Sequence, residues 1–211
     1  QAGFDAIELF PTHADDVHSM ELRSLLRQHG LQLAAMGTGA GWLTRKLSLT
    51  DPDPHVRMCA RDFAGAIVDF AGGFGAPAII GSMQGRWGDG PNPVPRDQAL
   101  AWLKEELDQL GPRAHALDVP LLYEPLNRYE TNLLNRQADA ARFLEERQIG
   151  NVKLLCDLFH MNIEEVSPAA TLRACGRHVG HVHFADSNRQ AIGFGHTETA
   201  SVISALRDIE I

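Results

Sequence analysis

A chain of 211 residues that is 44% hydrophobic and 22% charged has the material for a substantial buried core. Its net charge of -8 is the wrong sign for unspecific binding to a phosphate backbone, so nucleic acid is not an expected partner. No apolar run approaches the ~18–20 residues of a membrane span, no signal peptide opens the sequence, and the three cysteines (Cys59, Cys156, Cys175) lack CxxC spacing and read as core thiols of a reducing cytosol.

In chain order, residues 4–10 (FDAIELF) read as a short apolar strand bounded by Gly3 and Pro11. A helix is expected over residues 19–29, with Leu22, Leu25 and Leu26 on one face and Gly30 as its stop. Residues 31–36 form the next strand, leading into Gly37-Thr38-Gly39-Ala40-Gly41-Trp42. That stretch lacks the Lys-Ser/Thr of a phosphate loop and reads as a flexible loop. Asp51-Pro52 and Asp53-Pro54 are cap-plus-first-turn pairs ahead of a helix carrying Val56, Ala60, Phe63, Ala64, Ile67 and Phe70, closed by Gly72-Gly73.

Residues 76–81 supply the third strand. A long loop rich in Gly and Pro follows over residues 82–95, and loops of that length in a compact domain are usually functional or mobile. Leu100, Leu103, Leu107 and Leu110 define an amphipathic helix. A strand at 119–124, a helix at 136–147 and a strand at 152–157 come next. Ser167 and Pro168 open a further helix as N-cap and first-turn proline, ahead of a strand at 179–185 and a helix from 201 to 209. No linker interrupts this alternation, so residues 1–211 read as one domain.

Six βα units call for parallel strands joined by helical crossovers. An open dinucleotide-binding sheet would carry GxGxxG directly after its first strand, and residues 3–13 hold nothing like it. The expected α/β fold is therefore a barrel. A complete barrel has eight units in ~250 residues. These 211 residues hold six.

Three strands end in potential metal ligands: Glu124 in LLYEPLNRYE, Asp157 in LLCDLFHMNIEE and His183 in HVHFADSNR. Barrel strands deliver their last inward side chains into one mouth, and two carboxylates with an imidazole suit Mn²⁺, Co²⁺, Mg²⁺ or Zn²⁺. Leu122 and Leu155 precede the carboxylates by two and share their inward face, while Pro125 holds Glu124 extended. A carboxylate at the buried end of a strand needs a partner, and the competing reading is an ion pair with an arginine. His181 and His183 alternate with Val182, so both point inward. His183, nearer the mouth, is the expected ligand; His181, deeper, is a hydrogen-bonded core or supporting histidine. His160 lies three residues beyond Asp157, and Trp42, Arg86 and Trp87 fall in loops expected to rim the mouth.

These phrases resemble the sugar isomerase/epimerase family with the xylose-isomerase-like barrel, and most of all its ketose 3-epimerase branch, the tagatose and psicose epimerases. The likeness spans nearly the whole chain. It implies a (β/α)8 TIM barrel of which this chain is expected to lack the first and last strands, a divalent ion on Glu124, Asp157 and His183, and contacts to a small sugar from His160, Glu130 and Arg189. It also implies a reaction in which two metal-bound glutamates on opposite faces of a ketose pass a proton through an enediolate. Glu124 matches one of them. No residue here matches the second, so residues 1–211 are expected to be inactive alone, with apolar edge strands at 4–10 and 179–185 that recruit like copies. Hydroxypyruvate isomerase and inosose dehydratase share the architecture and metal, but HMNIEE and SNR favour the epimerase. A three-zinc apurinic endonuclease shares Asp157-x-x-His160, yet Phe194-Gly195-His196 stands where it needs Asp-x-His. A non-catalytic sugar-binding barrel is the remaining alternative.

Overall fold

The computed structural model describes residues 3–88 and 93–211. Its six strands are β1 (Ala6–Leu9), β2 (Gln32–Gly37), β3 (Ala78–Ile80), β4 (Leu121–Tyr123), β5 (Val152–Asp157) and β6 (Val179–His183). The helices are α1 (Ser19–His29), α2 (Gly39–Arg45), α3 (Pro54–Gly72), α4 (Arg96–His115), α5 (Gln137–Glu146), α6 (Leu158–Glu164), α7 (Pro168–Cys175) and α8 (Thr199–Asp208). All strand pairs are parallel and the spatial order is the chain order. Every crossover therefore steps one strand onward in the same direction, which is the winding of a barrel; a doubly wound sheet reverses at a switch point. β1 and β6 are the edges of this sheet. It curls so far that Glu8 on β1 bonds His181 and His183 on β6.

The period of two along each strand sorts the apolar side chains into two populations. Leu121, Tyr123, Leu154 and Cys156 face outward into the main cluster with the helices. Ala35, Ile79, Leu122 and Leu155, one from each of β2 to β5, face inward and pack together. Burying a leucine in either layer is worth ~1.5–3 kcal/mol. The inner layer is the floor on which the strand-end residues stand. Two caps behave as the sequence suggests. The Asp53 carboxylate accepts the His55 N–H at 2.8 Å and the Ser167 hydroxyl accepts the Ala170 N–H at 3.3 Å, each followed by a first-turn proline, and each worth about 1 kcal/mol.

Several expectations are corrected. The Gly-rich stretch after β2 is not a flexible loop, because residues 39–45 are helical. Thr38 is buried and donates to the Ile79 carbonyl at 2.7 Å, and a Cβ on Gly41 would lie 2.6 Å from the Met83 sulfur. Glycine serves close packing there. Asp51 caps no helix; its carboxylate accepts the Asp53 N–H at 2.9 Å in a turn. Leu25 is 45% exposed, while Leu22 and Leu26 are buried. The first strand shrinks to Ala6–Leu9, leaving Phe4 and Phe10 exposed. All three cysteines are free, but Cys59 is only half-buried. Residues 89–92 of the long loop lie outside the described residues. Among the described residues, no helix is long and apolar enough to cross a membrane.

Candidate metal centre

Glu124 directly follows β4, and its backbone is held from two sides. Its N–H donates to the Ile80 carbonyl at 2.9 Å, and its carbonyl accepts from the Gln84 amide at 3.0 Å. Gly81 leaves this carboxylate its room: a Cβ there would sit 2.6 Å from Glu124 Oε2 and displace it. Asp157 ends β5 in register with His183 on β6. One of its oxygens caps α6 by accepting the Phe159 N–H at 2.7 Å, and the other faces His183 Nδ1 at 3.3 Å. His183 Nδ1 is also 3.8 Å from Glu124 Oε1. One donor atom from each of Glu124, Asp157 and His183 lies within 4.8 Å of the other two.

Bringing two carboxylates to one buried point is electrostatically expensive. Burial, and then the Asp157 charge, push Glu124 up to about 8. Burial lowers His183, but hydrogen bonds to Asp157 and Glu8 outweigh it and raise the imidazole to about 10. Glu124 and Asp157 pair with imidazoles: His160 and His183 for the first, His183 for the second. An oxygen-rich donor set with an imidazole and excess negative charge fits a divalent cation.

The other three candidate residues line the same cleft of about 240 Å³. His160 is buried in α6, a helix the sequence reading did not foresee. Its Nδ1 accepts the Asn127 N–H at 3.1 Å, so Nε2 carries the ring proton and points toward Glu124 at 3.8 Å. Burial holds its pKa below the ordinary value, which keeps it neutral and a donor. Glu130 accepts from Arg189 at 2.9 Å, and the Arg189 guanidinium lies 4.8 Å from the Phe159 ring centre. Trp42 and Arg86 line an adjoining cavity of about 180 Å³ that shares Ser82 and Glu130 with the cleft. Trp87 is spent structurally, its ring N–H donating to the Asn132 carbonyl at 2.8 Å.

Arg189 owes its place to a residue absent from the sequence reading. Asp186 is buried and accepts four backbone N–H groups, those of Ser187, Gly193, Gly195 and Thr197, at 2.7 to 3.0 Å. Burial opposes its charge, but these donors prevail and depress its pKa far below the ordinary value. Its carbonyl accepts the Arg189 N–H at 2.8 Å, within a turn that leaves Arg189 at φ 63°. Asp186→Ala is expected to loosen this loop and release Arg189 from its place beside Glu130, read as faster backbone amide exchange over residues 186–197. Unchanged exchange protection would contradict that role.

A second omission is Glu8. Ile7 and Leu9 pack into the outer cluster, so Glu8 between them points inward. There its two oxygens meet His181 Nε2 at 2.6 Å and His183 Nε2 at 3.0 Å. The two imidazoles depress Glu8 to about 2 against the opposing effect of burial. The available signal was a charge on the inward register of an otherwise apolar strand.

Comparison with known proteins bears on this geometry. The model of the xylose isomerase-like TIM barrel family matches residues 1–211. The D-psicose 3-epimerase of Agrobacterium fabrum is 31% identical over 211 residues, covering 98% of this chain and 72% of that protein. The L-ribulose 3-epimerase of Methylomonas sp. is 28% identical over 214 residues, covering 100% and 72%. The crystal structure of the D-allulose 3-epimerase from Methylomonas sp. in complex with D-allulose superposes with a TM-score of 0.86 at 28% identity, covering 100% of this chain and 71% of that one.

Proposed function

The chain belongs to the xylose isomerase-like TIM barrel family, and from that membership and the site geometry we propose that it is a metal-dependent epimerase acting on a ketose carbon next to the carbonyl. The observation that carries this reading is the convergence of Glu124, Asp157 and His183 on one point at the strand ends, in a chain whose relatives include several ketose 3-epimerases. These three residues would hold a divalent ion of the Mn²⁺, Co²⁺, Mg²⁺ or Zn²⁺ class. When bound, such an ion supplies the positive charge that stabilises an enediolate.

The chain's own groups do the rest. Glu124 takes the proton from the carbon beside the carbonyl, being the cleft carboxylate that stands 3.8 Å from both His160 and His183. His160 donates its Nε2–H to a sugar oxygen, since Asn127 occupies its other nitrogen. Arg189 and Glu130 bind the reacting end of the sugar from the rim. Glu8 does not suit the return of the proton, because both of its oxygens are engaged by imidazoles; the step assigned to this chain is removal of the proton by Glu124, its exchange with solvent, and redelivery to the same carbon by Glu124. In this reading residues 1–211 act as one barrel domain, and the free thiols suit a reducing cytosol. The endonuclease reading is disfavoured: among the described residues the candidate donor clusters contain neither His160 nor His196.

The test is solvent exchange. Mn²⁺-loaded protein in D₂O is expected to place deuterium on the carbon beside the carbonyl of D-psicose, D-fructose or L-ribulose, and chelation is expected to stop it. Arg189→Ala should cut this exchange by roughly 10²-fold through lost positioning and leave Mn²⁺ affinity intact. Absence of exchange with every ketose, or equal loss of metal and exchange in the variant, would overturn the assignment.

A further inference from the structure

Glu8 and the two histidines of β6 come from opposite edges of the sheet, 173 and 175 residues apart in sequence. Their bonds are specific by atom. Glu8 Oε1 meets His181 Nε2, Glu8 Oε2 meets His183 Nε2, and the two rings stand nearly perpendicular at 86° with centres 5.5 Å apart. The opposite nitrogen of His183, Nδ1, faces Asp157 and Glu124. A neutral imidazole that offers one lone pair carries its proton on the other nitrogen. If Nδ1 is to face an ion, Nε2 must hold the proton, and Glu8 is the acceptor placed to receive it.

We infer that Glu8 is the positioning residue of the metal centre, fixing the ring plane and tautomer of His183 while His181 anchors its second oxygen. This rests on the metal-site reading above and adds a residue which that reading does not need. Glu8 acts through His183 and is not itself among the residues lining the cleft. Carboxylates in this relation to a metal-bound histidine typically matter 10- to 100-fold in metal affinity, as a general order of magnitude. The rival use of the same atoms is a second ion, since Glu8, His181 and His183 also bring donors within 4.8 Å of one another. That use would require His183 to surrender both nitrogens to metals, leaving the ring with no N–H. One ion per chain is the expected stoichiometry.

The test has two independent arms. Calorimetric titration with Mn²⁺ should give one site per chain in the wild type, a ~10- to 100-fold weaker site in Glu8→Gln, and a much smaller change in His181→Gln, which leaves the Glu8–His183 bond in place. In ¹⁵N-labelled wild type loaded with Zn²⁺, long-range ¹H–¹⁵N spectra should show His183 protonated at Nε2 and metal-bound through Nδ1. A merely structural Glu8 would alter thermal stability without moving that signature. Unchanged Mn²⁺ affinity in Glu8→Gln, a second ion per wild-type chain, or an Nδ1–H on His183 would each overturn the inference, and the wild-type spectrum decides alone if the variant does not fold. Failure of the wild type to bind any ion would instead sink the metal-site reading and this inference with it.

Discussion

Replacing Glu124 with glutamine is expected to lower metal-dependent solvent exchange at the ketose carbon beside the carbonyl by ~10²- to 10⁴-fold, the usual worth of a positioned general base. The amide keeps the shape of the side chain and its contact with Gly81 but cannot accept a proton from carbon. It also replaces the carboxylate that burial and Asp157 push up to about 8, so the metal-free variant should melt no lower than the wild type at pH 8. The pairing of lost exchange with retained stability is the signature of a group kept for chemistry at the expense of stability. Deuterium incorporation and thermal melts on the same samples would check it. Retention of solvent exchange in Glu124→Gln would remove the proton-transfer role from this residue.

Metal loading should change both stability and its pH dependence. In the metal-free protein, Glu124 is raised from 4.5 to about 8, so the folded state keeps a proton that the unfolded chain releases, and stability falls as pH rises across that window. His183 is raised from 6.5 to about 10; its contribution is full below 6.5 and lost as pH rises toward 10. Glu8 runs the other way. Lowered from 4.5 to about 2, it stabilises above 4.5 and its contribution is lost as pH falls toward 2. The metal-free protein is thus expected to be most stable in mild acid and to weaken toward pH 9. A cation competes with the protons on Glu124 and His183, so it binds more tightly as pH rises. At a free concentration of ~100 Kd the ion adds ~2.7 kcal/mol, or ~5–10 °C in Tm for a chain of this size. At fixed Mn²⁺ the gap between loaded and metal-free Tm should therefore widen from pH 6 to pH 8.5, read by differential scanning calorimetry. A gap that stays constant or narrows would show that these two groups do not share the ion.

By itself the sequence determined the order and type of most elements. Alternation in β5 and β6, the leucine spacing of α4 and the caps at Asp53 and Ser167 are local patterns set by two- and 3.6-residue periods, and local physics suffices to read them. The same periods put Glu124, Asp157, His160 and His183 at or just beyond strand ends, where a barrel gathers side chains. Other features were settled only in three dimensions. The Gly-rich stretch after β2 is helical because Met83 and Phe63 close over Gly41, a contact made by residues over twenty positions away. Asp186 looks like a surface acid until the returning loop brings it four N–H donors. Glu8 looks like the solvated residue of a short apolar strand. Its partners lie on the last strand of the sheet, and their approach exists only because the accumulated curl of six parallel strands folds one edge back toward the other.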